Sequence, residues 1–143
     1  MTRAVLEGLV LVLVSNVVYH VAQKSVPRGV DPLLATAAAY VVALVLTVGI
    51  WLGRAASAPI GPSLRAMNWS NVAVGLAIVG VEVGFLLIYR AGGDVSKSSA
   101  LNSAALAVLL ALIGWTFFGE RLSGQQWTGL GLSVAGIVLL TRG

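Results

Sequence analysis

The segment that decides the fold runs from Val72 to Tyr89 and reads VAVGLAIVGVEVGFLLIY. It contains one charged side chain, Glu82. A membrane-spanning α-helix needs about 20 predominantly apolar residues, so this segment predicts a transmembrane helix. A carboxylate near the centre of such a helix costs roughly 2.5–3.5 kcal/mol on insertion scales, and intramembrane acids usually face a cavity on an ion or substrate path. The segment therefore points to a transporter.

The rest of the chain has a similar composition. Of its 143 residues, 58% are hydrophobic and 10% are charged, and the mean hydropathy is +0.96. These values are typical of a membrane protein rather than of a small soluble domain. The net charge is +4, but the basic residues are scattered through the connecting segments. This scatter argues against nucleic acid as a partner and favours contact with lipid headgroups.

Five apolar segments separated by short polar breaks predict five transmembrane helices. We expect an all-α membrane protein in which residues 1–143 form a single five-helix domain. The longest break, Gly53–Asn71, is expected to be a surface loop because it is rich in proline and glycine. The predicted spans are Ala4–Ala22, Leu33–Leu52, Val72–Tyr89, Ser98–Phe118 and Gln126–Leu140.

Three of the breaks end in signals that start a helix. Ser, Asn and Asp side chains cap free amides at helix N-termini, proline suits the first helical position, and Ser followed three residues later by Gln forms a capping box. The last predicted span is short, so we expect it to stand upright, to be matched by local thinning of the bilayer, or to gain length from Gly124 and Thr141. The signals are Asp31 with Pro32, Asn68 with Ser70, and Ser123 with Gln126.

Basic residues divide almost evenly between the two sides of the predicted membrane domain. Four lie on the side of the N-terminus and five on the other, and the terminal amine levels the difference. Because positive charge in short loops sets orientation, an even count favours insertion in both orientations. The alternative is one orientation set by a partner or by insertion order. The first side has Arg3, Arg54, Arg65 and Arg121, and the second has Lys24, Arg28, Arg90, Lys97 and Arg142.

Glu82 is the centre of the predicted site for substrate and proton. A carboxylate in a cavity can bind a proton or a cationic or polar substrate in turn, because the two compete for one charge. The alternative is a protonated glutamic acid with a structural hydrogen bond between helices. The other predicted site residues share a helical face with it or are polar side chains in other spans: Asn16, Tyr19, His20, Tyr40, Phe85 and Asn102.

Several polar residues have simpler structural explanations. A histidine near a span end often contacts only headgroups and water, and hydroxyls often bond to the backbone of their own helix. Glu7 lies four residues after Arg3 and is expected to form an ion pair at the membrane surface.

The last span offers a stripe of small residues: Gly124, Thr128, Gly131 and Ala135. Such stripes let helix backbones approach closely in a membrane, where apolar burial gives no net drive for association. We expect this stripe to form a dimer interface. The alternative is that the glycines pack this helix within its own protomer.

The closing stretch carries a family resemblance. From Trp115 to Leu140 the chain reads WTFFGERLSGQQWTGLGLSVAGIVLL, which resembles the end of an EamA-type half in the drug/metabolite transporter superfamily. Its features are Gly119-Glu120 at the end of a span, a polar turn, and a glycine-rich span with Gly129 and Gly136. Five spans over this length also resemble one such half, the half-size form of the family.

The resemblance implies a partner. Most relatives have two halves of opposite orientation in one chain, and inverted-repeat transporters form their site between the repeats. A lone half must find an inverted mate, either a second copy in an antiparallel homodimer or a sibling chain in a heterodimer. The related small multidrug resistance proteins place their essential glutamate in the first span, where this chain has Asn16.

These observations predict a secondary transporter of small metabolites or drug-like compounds, cationic ones included. We expect it to be proton-coupled, cofactor-free and located in a bacterial or archaeal cytoplasmic membrane. One histidine, five acids and no cysteine leave no catalytic constellation and no metal-ligand spacing, which argues against an enzyme. The alternatives are a non-transporting scaffold or regulatory subunit and a subunit of a flippase for lipid-linked sugars.

Overall fold

The computed structural model describes residues 2–54 and 60–142, and the described residues are mainly helical. The helices follow the apolar segments, and one further helix lies in the longest break. The six described helices are α1 (Arg3–Ser25), α2 (Pro32–Arg54), α3 (Ile60–Ala66), α4 (Trp69–Arg90), α5 (Val95–Phe117) and α6 (Gly124–Arg142).

The helix starts confirm the predicted caps. The Asp31 carboxylate accepts hydrogen bonds from the amides of Leu33 and Leu34, at 2.9 and 3.1 Å. Asn68 caps α4, and its side chain accepts from the Ser70 amide at 2.9 Å. These contacts satisfy amides that have no partner within the helix, which is why α2 and α4 begin where they do.

The predicted capping box of α6 is also present. The Ser123 amide donates to Gln126 Oε1 at 2.7 Å, and the Gln126 amide donates to Ser123 Oγ at 3.3 Å. The helix therefore begins at Gly124 and continues to Arg142. It is longer than the predicted span because the capping box places its first turn before the apolar residues.

One part of the predicted organisation differs. The break Gly53–Asn71 was expected to be a loop, but its residues Ile60–Ala66 form α3. Residues 55–59 of this break lie outside the described residues. A helix of seven residues is too short to show the repeating apolar face from which longer helices are predicted.

Four of the described helices, α1, α2, α4 and α5, are long and apolar enough to cross a membrane. Their outward side chains are apolar and exposed, for example Leu44 at 64% and Leu76 at 71%. A helix that is apolar on all sides is typical of a membrane span. The protein is therefore an integral multi-pass membrane protein. The α6 helix is not among the four, because polar residues such as Gln125 and Gln126 occupy its first turn.

The chain divides into two compact units. In the unit Ala22–Ala91, α2 packs against α4. The buried side chains among its described residues are Thr36 on α2 and Phe85, Leu86 and Tyr89 on α4. The buried residues of α4 lie three, four and seven residues after Glu82, so they share its side of the helix. Glu82 is therefore on the inward face of α4, as the sequence predicted.

The other unit contains the described residues up to Val21 and from Gly92 onward, and in it α5 packs against α6. The two helices are joined by a tight turn at Gly119, whose φ of +65° favours glycine. The amides of Phe118 and Glu120 both donate to the Gly114 carbonyl, at 3.2 and 3.0 Å. The Glu120 side chain lies back over Gly114, where a Cβ would contact its carboxylate.

Candidate functional site

Glu82 lies inside its unit and has a side-chain partner. Gln23 Nε2, in the last turn of α1, donates a hydrogen bond to Glu82 Oε2 on α4. Both side chains are half-buried, and the two residues are 59 positions apart in the chain. The carboxylate therefore faces protein, not only acyl chains, which suits a group that binds a ligand or a proton.

Two hydroxyl groups of α2 lie on the face that packs against α4. Thr36 Oγ1 and Tyr40 Oη are buried and have no hydrogen-bond partner within the described part of the chain. They are one helical turn apart on α2. A buried hydroxyl without a partner costs free energy unless water or a ligand satisfies it. These hydroxyls are therefore suited to hold water or a polar ligand within the unit that contains the carboxylate.

Aromatic side chains form the apolar part of this group. The rings of Phe85 and Tyr89 lie 5.9 Å apart between centroids and are inclined by 31°. Both rings are buried, with exposures of 7% and 4%. Phe85 follows Glu82 by three residues, so both project from the same side of α4. The predicted site residues Glu82, Tyr40 and Phe85 thus occur together in one unit.

Three other predicted residues come together in the second unit. Asn16 and His20 on α1 and Asn102 on α5 line a groove of about 420 Å³. Asn16 and Asn102 are exposed, so their amides are available to a ligand. The remaining predicted residue, Tyr19, does not line this groove, but its ring contacts that of His20 edge-on at 5.0 Å and 71°.

The Ser99 hydroxyl near the groove fits the simpler explanation for a polar residue in a helix, a hydrogen bond to the backbone of the same helix. Ser99 lines the groove, but its hydroxyl donates to the Val95 carbonyl one turn earlier at 2.6 Å.

The ion pair predicted at the start of α1 is confirmed, with Arg3 Nε 2.8 Å from Glu7 Oε1. Both of its side chains are exposed, so this acid belongs to the surface.

The small-residue stripe of α6 is exposed along its length. The hydroxyl of Thr128, in the stripe, donates to carbonyls of its own helix, those of Gly124 at 3.2 Å and Gln125 at 2.8 Å. The half-buried residues of α6 are Leu130, Gly136 and Ile137. The stripe is therefore a surface of small side chains that the described part of the protomer leaves uncovered.

Sequence reasoning missed the role of Gln23. Its place on the polar face of α1 with Asn16 and His20 was a signal, but a hydrogen bond across 59 positions depends on tertiary packing. Thr36 was not among the predicted site residues, although it lies four residues before Tyr40 and so shares its face of α2. Among the described residues, no three His, Cys, Asp or Glu side chains could together hold a metal ion.

Comparison with known proteins agrees with this architecture. Residues 6–142 match the EamA-like transporter family, a range that includes nearly all of α1 and every later helix. No curated protein matches the chain, and no solved structure matches it. The match covers nearly the whole sequence, and the apolar helices of spanning length and the inward acid on α4 agree with it. The chain therefore belongs to the EamA-like transporter family, whose members are membrane transporters of the drug/metabolite superfamily.

Proposed function

We propose that the protein is a proton-coupled secondary transporter of small metabolites or drug-like compounds. The observation that carries this proposal is the hydrogen bond from Gln23 to Glu82. It indicates that the intramembrane carboxyl group is oriented by protein and is not directed only at lipid. Transport by such a group requires that it be held in place, because a proton and a substrate must reach the same atoms in turn.

The chemistry follows from the neighbours of the carboxyl group. When Glu82 is ionised, its Oε2 accepts the hydrogen bond from Gln23 and the carboxylate attracts a cationic or polar group of the substrate. When Glu82 is protonated, that attraction is lost and the substrate is released. The unpartnered hydroxyls of Thr36 and Tyr40 supply further hydrogen-bonding groups for the substrate.

We propose that the working unit is an antiparallel homodimer, with a sibling chain as the alternative partner. Transporters built from inverted repeats form their site between the repeats, and a single repeat can complete such a site by pairing with an inverted copy. The even distribution of basic residues suits insertion in both orientations. The exposed stripe of α6, which ends with Gly131 and Ala135, suits close contact with a second helix.

The function is tested with purified protein in proteoliposomes, with and without a pH gradient, against a panel of metabolites and drug cations. We expect gradient-dependent flux that Glu82→Gln reduces at least tenfold. Glu7→Gln is the matched control, because it makes the same chemical change in an exposed ion pair and should leave flux within twofold. Absence of gradient-dependent flux for every compound tested would refute the proposal.

The same variants separate transport from a scaffold role. If Glu82→Gln abolishes flux while the protein still assembles on size-exclusion chromatography, Glu82 serves transport. If the variant no longer assembles, a partner-binding scaffold is the better explanation, and the transport proposal is wrong.

The dimer is tested by cysteine cross-linking, for which the chain is well suited because it contains no cysteine. Ser133 is the middle residue of α6. Two antiparallel copies crossing there therefore bring Gly131 of one copy near Ala135 of the other. Copies with Gly131→Cys should cross-link to copies with Ala135→Cys more than to themselves. Exclusive cross-linking between identical positions would indicate a parallel dimer and contradict the proposal.

Orientation is tested with a tag at either terminus. In the proposed arrangement, each tag is accessible from both faces of the membrane in intact cells and inverted vesicles. Access from one face alone would contradict dual insertion.

A further inference from the structure

A small polar pocket lies in the unit Ala22–Ala91, at the end of α1 and the end of α4. Its volume is about 60 Å³. Three of its described lining residues are basic, and none is acidic. The lining residues are Gln23, Lys24, Val26, Arg28, Leu86, Tyr89 and Arg90.

Arg90 is held in this pocket with part of its guanidinium group unsatisfied. Its Nη2 donates to the Val30 carbonyl. Its Nε is buried and has no hydrogen-bond partner within residues 2–54 and 60–142. A buried N–H of a charged group is costly when unpaired, so an orphan of this kind calls for a water or an ion as its partner.

Lys24 is positioned by an aromatic ring. Its ammonium nitrogen lies 5.7 Å from the centroid of the Tyr89 ring, and this ring is 4% exposed. The contact is within cation–π range. Because Tyr89 is packed into the unit, it keeps the lysine charge near the pocket.

The pocket gathers positive charge, and none of its described lining residues is acidic. Arg28 and Arg90 form no ion pair with any acid of the described residues, and like charges in one small pocket repel one another. Lys24 and Arg90 lie in the last turns of α1 and α4, where helix carbonyls favour cations. The helix ends do not account for Arg28 in the loop or for the unpaired Nε of Arg90.

We propose that Lys24, Arg28 and Arg90 form a binding site for a phosphate group. Arginine side chains bind phosphate oxygens in pairs, and lysine adds a compact charge. A buried water occupies about 10–15 Å³ of cavity volume. The pocket volume of about 60 Å³ therefore has room for roughly four to six waters. This number is comparable to the five heavy atoms of a phosphate group. The phosphate belongs either to a lipid headgroup or to a soluble phosphorylated compound.

This inference does not rest on proton-coupled transport, although the two sites share one residue. Gln23 lines the pocket and also donates to Glu82. Binding of phosphate is measured without flux, so its failure would leave the proposed function standing.

The test measures thermal stabilisation of the purified, detergent-solubilised protein by inorganic phosphate, with chloride at equal ionic strength as reference. A second arm uses nanodiscs of phosphatidylcholine with and without one-fifth phosphatidic acid. We expect stabilisation in at least one arm. Stabilisation by inorganic phosphate indicates a soluble source, and stabilisation by phosphatidic acid alone indicates a lipid headgroup.

Arg28→Gln is the main variant, because Arg28 is exposed and its replacement should not impair folding; Arg90→Gln is the second. Each should weaken binding at least tenfold. Arg65→Gln on α3 removes the same charge outside the pocket and should change binding less than twofold. Equal losses in Arg28→Gln and Arg65→Gln, or no stabilisation beyond chloride and phosphatidylcholine, would overturn the proposal.

Discussion

Replacing Gln23 and Glu82 by leucine, singly and together, should expose the energy of their hydrogen bond. Each single variant removes the hydrogen bond but leaves the other polar side chain inside the unit, and loss of such a bond costs about 1–3 kcal/mol. The double variant removes both groups, so its loss in free energy of unfolding should be close to that of one single variant. The difference between additive and observed losses is the coupling energy of the pair.

Two effects decide the size of this coupling. Hydrogen bonds to charged groups contribute about 1.5–3 kcal/mol in proteins, whereas interhelical hydrogen bonds measured in a membrane average about 0.6 and reach about 1.7 kcal/mol. The membrane value is lower because the unfolded chain in lipid also finds partners. Since the acceptor Glu82 can be ionised and Gln23 is half-buried, we expect a coupling of about 1–2 kcal/mol.

The assay is reversible unfolding in mixed micelles by titration with sodium dodecyl sulfate, followed by circular dichroism. Arg3 and Glu7 provide the control pair, because both side chains of their ion pair are exposed, Arg3 by 93% and Glu7 by 63%. Exposed pairs of this spacing contribute about 0.5 kcal/mol or less. A coupling for Gln23 and Glu82 below about 0.3 kcal/mol, or no larger than the control, would refute the reasoning.

The two remaining predictions concern the backbone, and both are measured by the same unfolding assay. Asp31→Ala should lower the free energy of unfolding by about 1 kcal/mol, because it removes the side-chain cap of α2. Asp94→Ala is the control, because the Asp94 side chain makes no cap hydrogen bond. Its effect should be less than about half as large. Equal effects would contradict the role of the cap. Gly119→Ala should cost roughly 1 kcal/mol because of its positive φ. Gly75→Ala should be neutral or stabilising, because nothing lies within 4 Å of the added Cβ, and a larger loss there than at Gly119 would reverse the interpretation.

Local features of the fold were predictable from the sequence. The caps at Asp31 and Ser123 depend on side chains and amides within three residues, so the residue types alone indicate them. The inward face of α4 was predictable because an acid in an apolar helix is expensive at a lipid-facing position. Burial of Phe85 and Tyr89 on the side of Glu82 follows from the same period.

Features that depend on packing were not predictable. The sequence placed Gln23 on a polar face of α1, but its bond to Glu82 depends on how distant helices pack. The short α3 lacks a periodic apolar pattern, and its segment contains proline and glycine, which favour a loop. The predicted site residues formed two groups, around Glu82 and around Asn102, because helical phase gives the face of a residue but not the helix opposite it.

The scarcity of buried side chains has an evolutionary consequence. Among the described residues of the unit Ala22–Ala91, Thr36, Phe85, Leu86 and Tyr89 are buried, while side chains such as Leu44 are exposed. Exchanges among leucine, isoleucine and valine at outward positions leave the surroundings of the side chain nearly unchanged. Divergence among homologues should therefore accumulate there, and purifying selection should concentrate on a few inward positions of α2 and α4.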